Sequence, residues 1–175
     1  MIGAPGTGKT FIAGHLRRLL AADMVQTDAI RKELFARPAY TSQESAAVYA
    51  EAHRRIEVSL AQGRDTIFDA TNLQEHGREA LYDIAGRLRA RLHLVWIWAP
   101  VRTVARRLAR RQKSRDPGDL SDATWPIYRR LVATAEPPGR GFVVLNATLP
   151  AAEIGDVFRR ISCLSESELA QNVIS

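Results

Sequence analysis

The chain has 175 residues, 46% hydrophobic and 25% charged, the proportions of an ordinary globular protein with enough length for one domain and a real core. No apolar run approaches the roughly 18 residues of a membrane span, and the glycine-rich start is no signal peptide, so a cytoplasmic location is expected. The single cysteine, Cys163, excludes an intramolecular disulfide, and no Cys/His cluster has zinc-site spacing.

The net charge is +6 and the sequence pI is near 10.1. Lysine occurs only at Lys9, Lys32 and Lys113, so all but three of the 25 basic residues are arginine. Such a surface suits polyanions; the plain alternative is an arginine-biased genome.

Taken in order, the chain first presents Gly3-Ala4-Pro5-Gly6-Thr7-Gly8-Lys9-Thr10, a match to the phosphate-binding pattern G-x-x-x-x-G-K-[ST]. Gly3, Gly6 and Gly8 let the backbone take positive φ and approach phosphate oxygens. Successive N–H groups then form an anion nest at the positive end of the helix that Lys9 opens. Lys9 would reach the β- and γ-phosphates and the Thr10 hydroxyl would ligate Mg²⁺, which makes ATP and Mg²⁺ the expected cofactors. Pro5, Thr7 and Phe11 complete the cofactor-binding set of the loop and its helix.

A buried strand normally precedes such a loop at the centre of a parallel sheet, and here only Met1 and Ile2 do. The expectation is a first strand largely missing from this chain, through a truncated reading frame or a fragment, with neighbouring strands losing their ladder partner.

Phe11, Ile12, Leu16, Leu19 and Leu20 recur at helical spacing up to about Ala22. Asp23 to Thr27 reads as a short strand ending at Asp28, and a short helix through Ile30, Leu34 and Phe35 stops before Pro38. Thr41-Ser42-Gln43-Glu44 is a capping box opening a helix with Ala46, Tyr49, His53, Ile56 and Leu60 on one face and Gly63 at its C-terminal end. Asp65 to Asp69 is the next strand, followed by a helix from about His76 to Arg91. Leu92 to Trp98 is the strongest strand signal, with Trp96 and Trp98 read as core. Val101, Val104, Ala105 and Leu108 line an arginine-rich helix, 113–119 is loop, and a further helix starts near Ser121 to Thr124 and ends before Pro137. Phe142 to Leu145 is the last strand and Ala151 to Ile161 the last helix. The pattern predicts one α/β domain over 1–162, a parallel sheet covered by helices on both faces, an arginine-rich lid at about 106–122 and a polar tail over 163–175.

Ligands of such sheets bind beyond the carboxyl ends of the strands, which singles out Asp28 and Asp69. Asp28 is the candidate base for an acceptor hydroxyl, with Arg31 one turn on to hold the acceptor. A helix N-cap is the alternative for Asp28, and a surface ion pair for Arg31. Asp69 is a candidate Mg²⁺ ligand, or else a strand-end turn residue. Ala70 stands where a water-activating glutamate would favour hydrolysis. Of the arginines after Pro100, Arg107, Arg111 and Arg115 are the candidates for contacting ATP, Arg111 also as a catalytic cation; a solvated basic face is the alternative. His53 reads as a packing residue, and Asn146-Ala147-Thr148 is a candidate lining for adenine.

Together, GAPGTGKT, Thr27-Asp28-Ala29-Ile30-Arg31 as a D-x-x-R element, Asp69-Ala70-Thr71-Asn72-Leu73, the arginine segment, Ser121-Asp122-Ala123 and Glu136-Pro137 resemble the P-loop kinases labelled AAA-domain or "AAA family ATPase" proteins, the group containing polynucleotide 5′-kinase and zeta-toxin-like kinases. The resemblance spans roughly Gly3 to Pro137. It implies a nucleoside-kinase-like P-loop NTPase fold in three layers, the D-x-x-R aspartate Asp28 as general base, Arg31 toward the acceptor, and lid arginines on ATP. The acceptor segment between Ala36 and Ser45 matches nothing in that pattern. The acceptor is therefore a polynucleotide 5′-hydroxyl or a small molecule, with no membrane partner and an undetermined oligomeric state. The other readings are an ATPase that couples hydrolysis to conformational change, and a nucleotide-dependent nucleic-acid-binding protein.

Overall fold

The computed structural model describes residues 1–114 and 120–163. Arg115, most of the loop expected over 113–119 and the polar tail from 165 lie outside the described residues. Eleven elements alternate along the described chain: α1 (Lys9–Leu20), β1 (Asp23–Gln26), α2 (Thr27–Leu34), α3 (Ser42–Ala61), β2 (Thr66–Asp69), α4 (Glu75–Leu88), β3 (Val95–Trp98), α5 (Val101–Ser114), α6 (Trp125–Ala133), β4 (Val143–Asn146) and α7 (Ala151–Cys163). Among the described residues no helix is long and apolar enough to cross a membrane.

The strands form two parallel ribbons. In β1–β2, Val25 lies beside Phe68 and Gln26 beside Asp69. In β3–β4, Ile97 lies beside Leu145 and Trp98 beside Asn146. The first three residues join them. The Met1 amine donates to the Phe68 carbonyl at 2.9 Å. Ile2 donates to Val95 O at 2.7 Å and accepts from Ile97 N at 2.7 Å, and Gly3 N donates to Thr71 O at 3.0 Å. The sheet is therefore continuous through a stub of backbone rather than a full strand. The expectation that the neighbours lose their partner holds only beyond Met1, where the ribbons part around a cavity of about 570 Å³ lined by residues including Met1, Ile56, Phe68, Leu81 and Val95.

Helices cover both faces. Ile12, Ala13 and Leu16 of α1 and Ile154 and Phe158 of α7 bury against Ile67, Val95, Ile97 and Leu145. On the other face Ile30, Val48, Ala52, Ile56, Leu81 and Ile84 bury against Val25 and Phe68. Each fully buried Ile or Leu stabilises by about 1.5–3 kcal/mol, and these contacts hold a sheet whose strands have only four residues each. A third cluster seats Val104 and Leu108 of α5 and Tyr128 of α6 against Ile2, Leu73 and Leu94.

Local signals set the helix ends. Thr41 Oγ1 accepts from Glu44 N at 3.1 Å at the start of α3. At its end Gly63, at φ 72, donates to Leu60 O at 2.9 Å while Arg64 N donates to Ser59 O at 3.2 Å. This is the Schellman pairing, which needs a left-handed residue where the glycine stands.

Some boundaries and faces differ from expectation. β3 starts at Val95 rather than Leu92, because only Ile2 pairs with it on the cavity side. Trp98 is 38% exposed and is not core, whereas Val95 and Ile97 are buried and half-buried Trp96 packs against the third cluster. The buried face of α3 runs through Val48, Ala52, Ile56 and Ser59; of the predicted stripe Ile56 is buried, Tyr49 and Leu60 pack at the edge of the core, and Ala46 is exposed. His53 packs edge-on to Tyr49 and Phe68, as a packing residue should.

Candidate functional site

The site lies where β1, β2 and β4 end and α1, α2 and α5 approach. Gly3, Gly6 and Gly8 take φ of 151, 80 and 111. Two of them are sterically fixed: a Cβ on Gly3 would stand 2.5 Å from Ile97 O, and one on Gly8 would meet Ala147 Cβ and Arg107 Nη1 at 3.1 Å. Gly8 is the N-cap of α1 and supplies no side-chain cap, leaving the first N–H groups of the helix to serve an anion. Pro5 is buried, Thr7 is buried with its hydroxyl on Ala4 O at 2.8 Å, and Phe11 is 64% exposed at the start of α1.

Lys9 folds back over this loop. It is buried, and its Nζ donates to Ala4 O at 3.1 Å. Burial pulls its pKa down, helped by the Arg111 guanidinium, while Asp69 and Asp28 oppose the shift. A buried ammonium with one backbone partner is a cation poised for an incoming anion. The same influence on Lys9 places half-buried Arg111 at the site.

Thr10 Oγ1 donates to Asp69 Oδ2 at 2.7 Å, and Gln26 Nε2 donates to the same oxygen at 3.0 Å. Asp69 is 6% exposed, directly below the loop. A hydroxyl and a carboxylate within contact of one another beside a phosphate cradle are hard oxygen donors of the kind Mg²⁺ takes when phosphates supply its other ligands, so the residues fit that ion.

Asp28 lies two residues past the end of β1. β1 stops at Gln26, Thr27 opens α2, and Asp28 stands in the first helical turn. It is not the helix cap, since Gln26 occupies that position without a side-chain bond. Burial raises its pKa above the ordinary carboxylate range; Lys9, a hydrogen bond from Ser121 and Arg31 pull the other way.

Arg31 is 8% exposed, which removes the surface ion pair as its description. It donates to Ser45 Oγ at 3.3 Å, lies 3.6 Å from Glu44 Oε2 and carries the Tyr40 ring at 4.9 Å. Its Nη1 is buried without a hydrogen-bond partner.

Arg107 lies against the loop itself. Its Nη1 donates to Thr7 O at 2.6 Å and more weakly to Gly6 O at 3.4 Å, while Nη2 donates to Ala147 O at 3.1 Å. It ties α5, the phosphate loop and the turn after β4 together. Asn146 closes its own turn by accepting from Thr148 N and Oγ1 at 3.0 and 2.8 Å. Arg102, Arg106 and Arg110 are exposed on the face of α5 opposite buried Val104 and Leu108, the solvated basic face weighed in the sequence.

The Asp69–Leu73 segment also has a scaffolding role. Thr71 O accepts from Gly3 N at 3.0 Å, and Asn72 Nδ2 donates to Met1 O at 3.0 Å. Beneath it, fully buried Arg78 donates to Asn72 O at 2.6 Å, to Glu136 O at 2.9 Å and to Glu75 Oε2 through Nε at 2.9 Å. Sequence reasoning missed Arg78; its spacing of three from Glu75 was the available signal. Gln26 and Tyr40 were missed for want of any local pattern; Ser121 stood in the quoted Ser121-Asp122-Ala123 element but was given no role there.

A glycine-built phosphate loop opening a helix, a lysine folded over it and a Thr–Asp pair beneath, at one end of a parallel α/β sheet, define a P-loop NTPase fold of the kinase type. The chain belongs to the AAA-domain family, whose model matches residues 1–138. No curated protein matches it in sequence. Similar solved structures include Kti12 of Chaetomium thermophilum in complex with ADP-AlF3, at 20% identity and TM-score 0.71 over 92% of this chain and 95% of that one. The APS kinase CysC of Mycobacterium tuberculosis, in complex with AMPPNP and APS, aligns at 16% identity and TM-score 0.70 over 92% and 94%. A gluconokinase from Sinorhizobium meliloti 1021 aligns at 19% identity and TM-score 0.63 over 98% and 91%. At these identities the likeness concerns the fold.

Proposed function

We propose that the protein is an ATP-dependent kinase that transfers the γ-phosphoryl group of Mg·ATP to an acceptor hydroxyl. The observation that carries this reading is Asp28: a half-buried carboxylate of raised pKa, electrostatically coupled to Lys9 of the phosphate loop and to Asp69 beneath it. A hydrolase needs a residue that positions water; a kinase needs a base beside the phosphate cradle facing an acceptor. The similar kinase structures support the same reading, as does Ala70 at the place of a water-activating glutamate.

In this mechanism the loop N–H groups and Lys9 hold the β- and γ-phosphates, and Arg111 adds positive charge near Lys9. Arg107 keeps the loop in shape. Thr10 and Asp69 would hold Mg²⁺, which when bound would neutralise charge on the transferring group. The acceptor oxygen bonds to the γ-phosphorus as the bond to the β–γ bridging oxygen breaks, ADP leaves, and the hydroxyl proton passes to Asp28. A carboxylate whose pKa is raised by burial is a better match for that proton than an ordinary one.

The test is transfer of labelled γ-phosphate from Mg·ATP to hydroxyl acceptors, with Asp28→Asn alongside. Loss of a general base lowers kcat by about 10²–10⁴-fold with nucleotide binding retained. Label released only to water, at a rate indifferent to Asp28→Asn, would sink the assignment and favour a hydrolase.

A further inference from the structure

The acceptor side of the site is crossed by a bond between two segments far apart in the chain. The Tyr40 hydroxyl donates to Asp122 Oδ2, and the neighbouring Ser121 hydrogen-bonds Asp28. Tyr40 is held for this contact. It takes φ 55, a left-handed conformation that disfavours tyrosine, and its N–H and that of Ala39 are captured by the Glu44 carboxylate at 2.6 and 3.0 Å. The ring rests on the Arg31 guanidinium. Residues 121–122 thus run from the base to the rim of the site, and Tyr40 meets them from the other side.

The charges around this opening are unequal. Asp28, Glu44 and Asp122 supply three carboxylates. Lys9 and Arg111 lie on the phosphate side of Asp28; on the acceptor side Arg31 faces the carboxylates, and Glu44, Ser45 and the Tyr40 ring already engage it. Its Nη1, 3.6 Å from Glu44 Oε2, is buried without a hydrogen-bond partner and is left to donate to an acceptor oxygen. The exposed arginines Arg102, Arg106 and Arg110 stand on the outer face of α5, away from the side of that helix packed on the loop.

We propose that Tyr40 and Asp122 form a bar across the acceptor opening that determines specificity, admitting a small uncharged polyhydroxyl molecule and excluding a polynucleotide 5′ end. This rests on the kinase reading above. The bar narrows the entrance, and the exposed carboxylate of Asp122 repels a phosphate backbone.

The experiment measures γ-phosphate transfer from Mg·ATP by the full chain, with neutral monosaccharides and a 5′-hydroxyl DNA oligonucleotide as the two classes of probe. Wild type is compared with Tyr40→Phe and Asp122→Arg, and thermal unfolding verifies that each is folded. The wild type labels a monosaccharide with kcat/KM at least about 100-fold above that for the oligonucleotide. Tyr40→Phe raises the sugar KM about tenfold, more than it changes kcat, and Asp122→Arg raises oligonucleotide kcat/KM at least tenfold. If Asp122→Arg does not fold, the KM-against-kcat split in Tyr40→Phe decides alone. An oligonucleotide preferred by the wild type, or variants with unchanged acceptor KM and preference, overturns the bar while leaving the kinase standing. Label in neither class overturns both.

Discussion

Replacing Arg107 with alanine separates a brace from a ligand group. The guanidinium makes two well-formed bonds, at 2.6 Å to Thr7 O and 3.1 Å to Ala147 O, and a weaker one at 3.4 Å to Gly6 O. A bond from a charged donor contributes about 1.5–3 kcal/mol net. The side chain is half-buried, and burial together with Arg106 and Arg110 lowers its pKa, so part of that gain offsets desolvation. A net loss of about 2 kcal/mol remains for Arg107→Ala. In a domain of this size each 1 kcal/mol shifts Tm by about 2–4 °C, giving a fall of about 4–8 °C without nucleotide. Arg107→Lys, which has no planar fork to span two carbonyls, recovers less than half.

Because two of the braced carbonyls, Gly6 O and Thr7 O, belong to the phosphate loop, the variant also weakens ATP about tenfold, the equivalent of about 1.4 kcal/mol of lost preorganisation. Thermal unfolding with and without Mg·ATP reads both effects. If Arg107→Ala melts within 1 °C of wild type without nucleotide while its nucleotide-induced shift disappears, Arg107 serves ATP alone and the brace argument is wrong.

Ser121→Ala removes a bond that holds the Asp28 pKa down, so the acidic limb of the kcat/KM profile moves to higher pH; an unmoved limb would show that Asp28 is not the titrating base. Gly3→Ala sets a Cβ 2.5 Å from Ile97 O at φ 151 and lowers stability by about 3 kcal/mol, read as a Tm fall of about 6–12 °C. The Met1 amine has its pKa lowered by burial from 8.0 to about 6. Between those values the unfolded chain binds more protons, so stability rises with pH from 6 to 8 and is penalised fully below 6, by up to about 2–3 kcal/mol. Denaturant titrations at pH 5.5 and 8.5, repeated with an apolar strand-forming extension before Met1, test this: the extension reduces the pH difference to the part left by His53, whose pKa burial also lowers, and raises stability by filling the cavity.

The parts of the fold legible in the sequence are those whose cause is local. The phosphate loop is eight consecutive residues, the start of α3 is Thr41 with Glu44, and its end is Gly63; in each case the interacting groups lie within one helical turn. The faces were harder. Alternation in β3 marks two sides but does not say which lies under a helix, and Trp98 projects past the covered part of the sheet. The stripe on α3 was misplaced in part because Tyr49 and His53, large enough to read as anchors, flank the small residues Ala52 and Ser59 that allow close packing. Within the site, Lys9 and Thr10 are fixed by the loop. Arg107 meets carbonyls about 100 residues earlier in the chain and Tyr40 meets Asp122 across 82, and no spacing rule reaches that far.

Asp28 shows why position and chemistry have to be separated. The sequence placed it at a strand end with helix capping as the alternative, and the structure puts it two residues past the end of β1, in the first turn of α2, with Gln26 at the cap position. A helix N-terminus favours a negative charge by about 0.3–1 kcal/mol, worth well under one pKa unit, whereas burial raises a carboxylate by up to several units. Here burial, joined by the like charge of Asp69, outweighs Lys9, Ser121 and Arg31, so the pKa rises although three partners and the helix oppose it. The basicity of this group therefore comes from the elements that enclose it, the α2 turn, the loop and residues 120–124, and not from the residue types beside it in sequence. An aspartate identically placed on an open sheet edge would have the same neighbours along the chain and would be a weaker base.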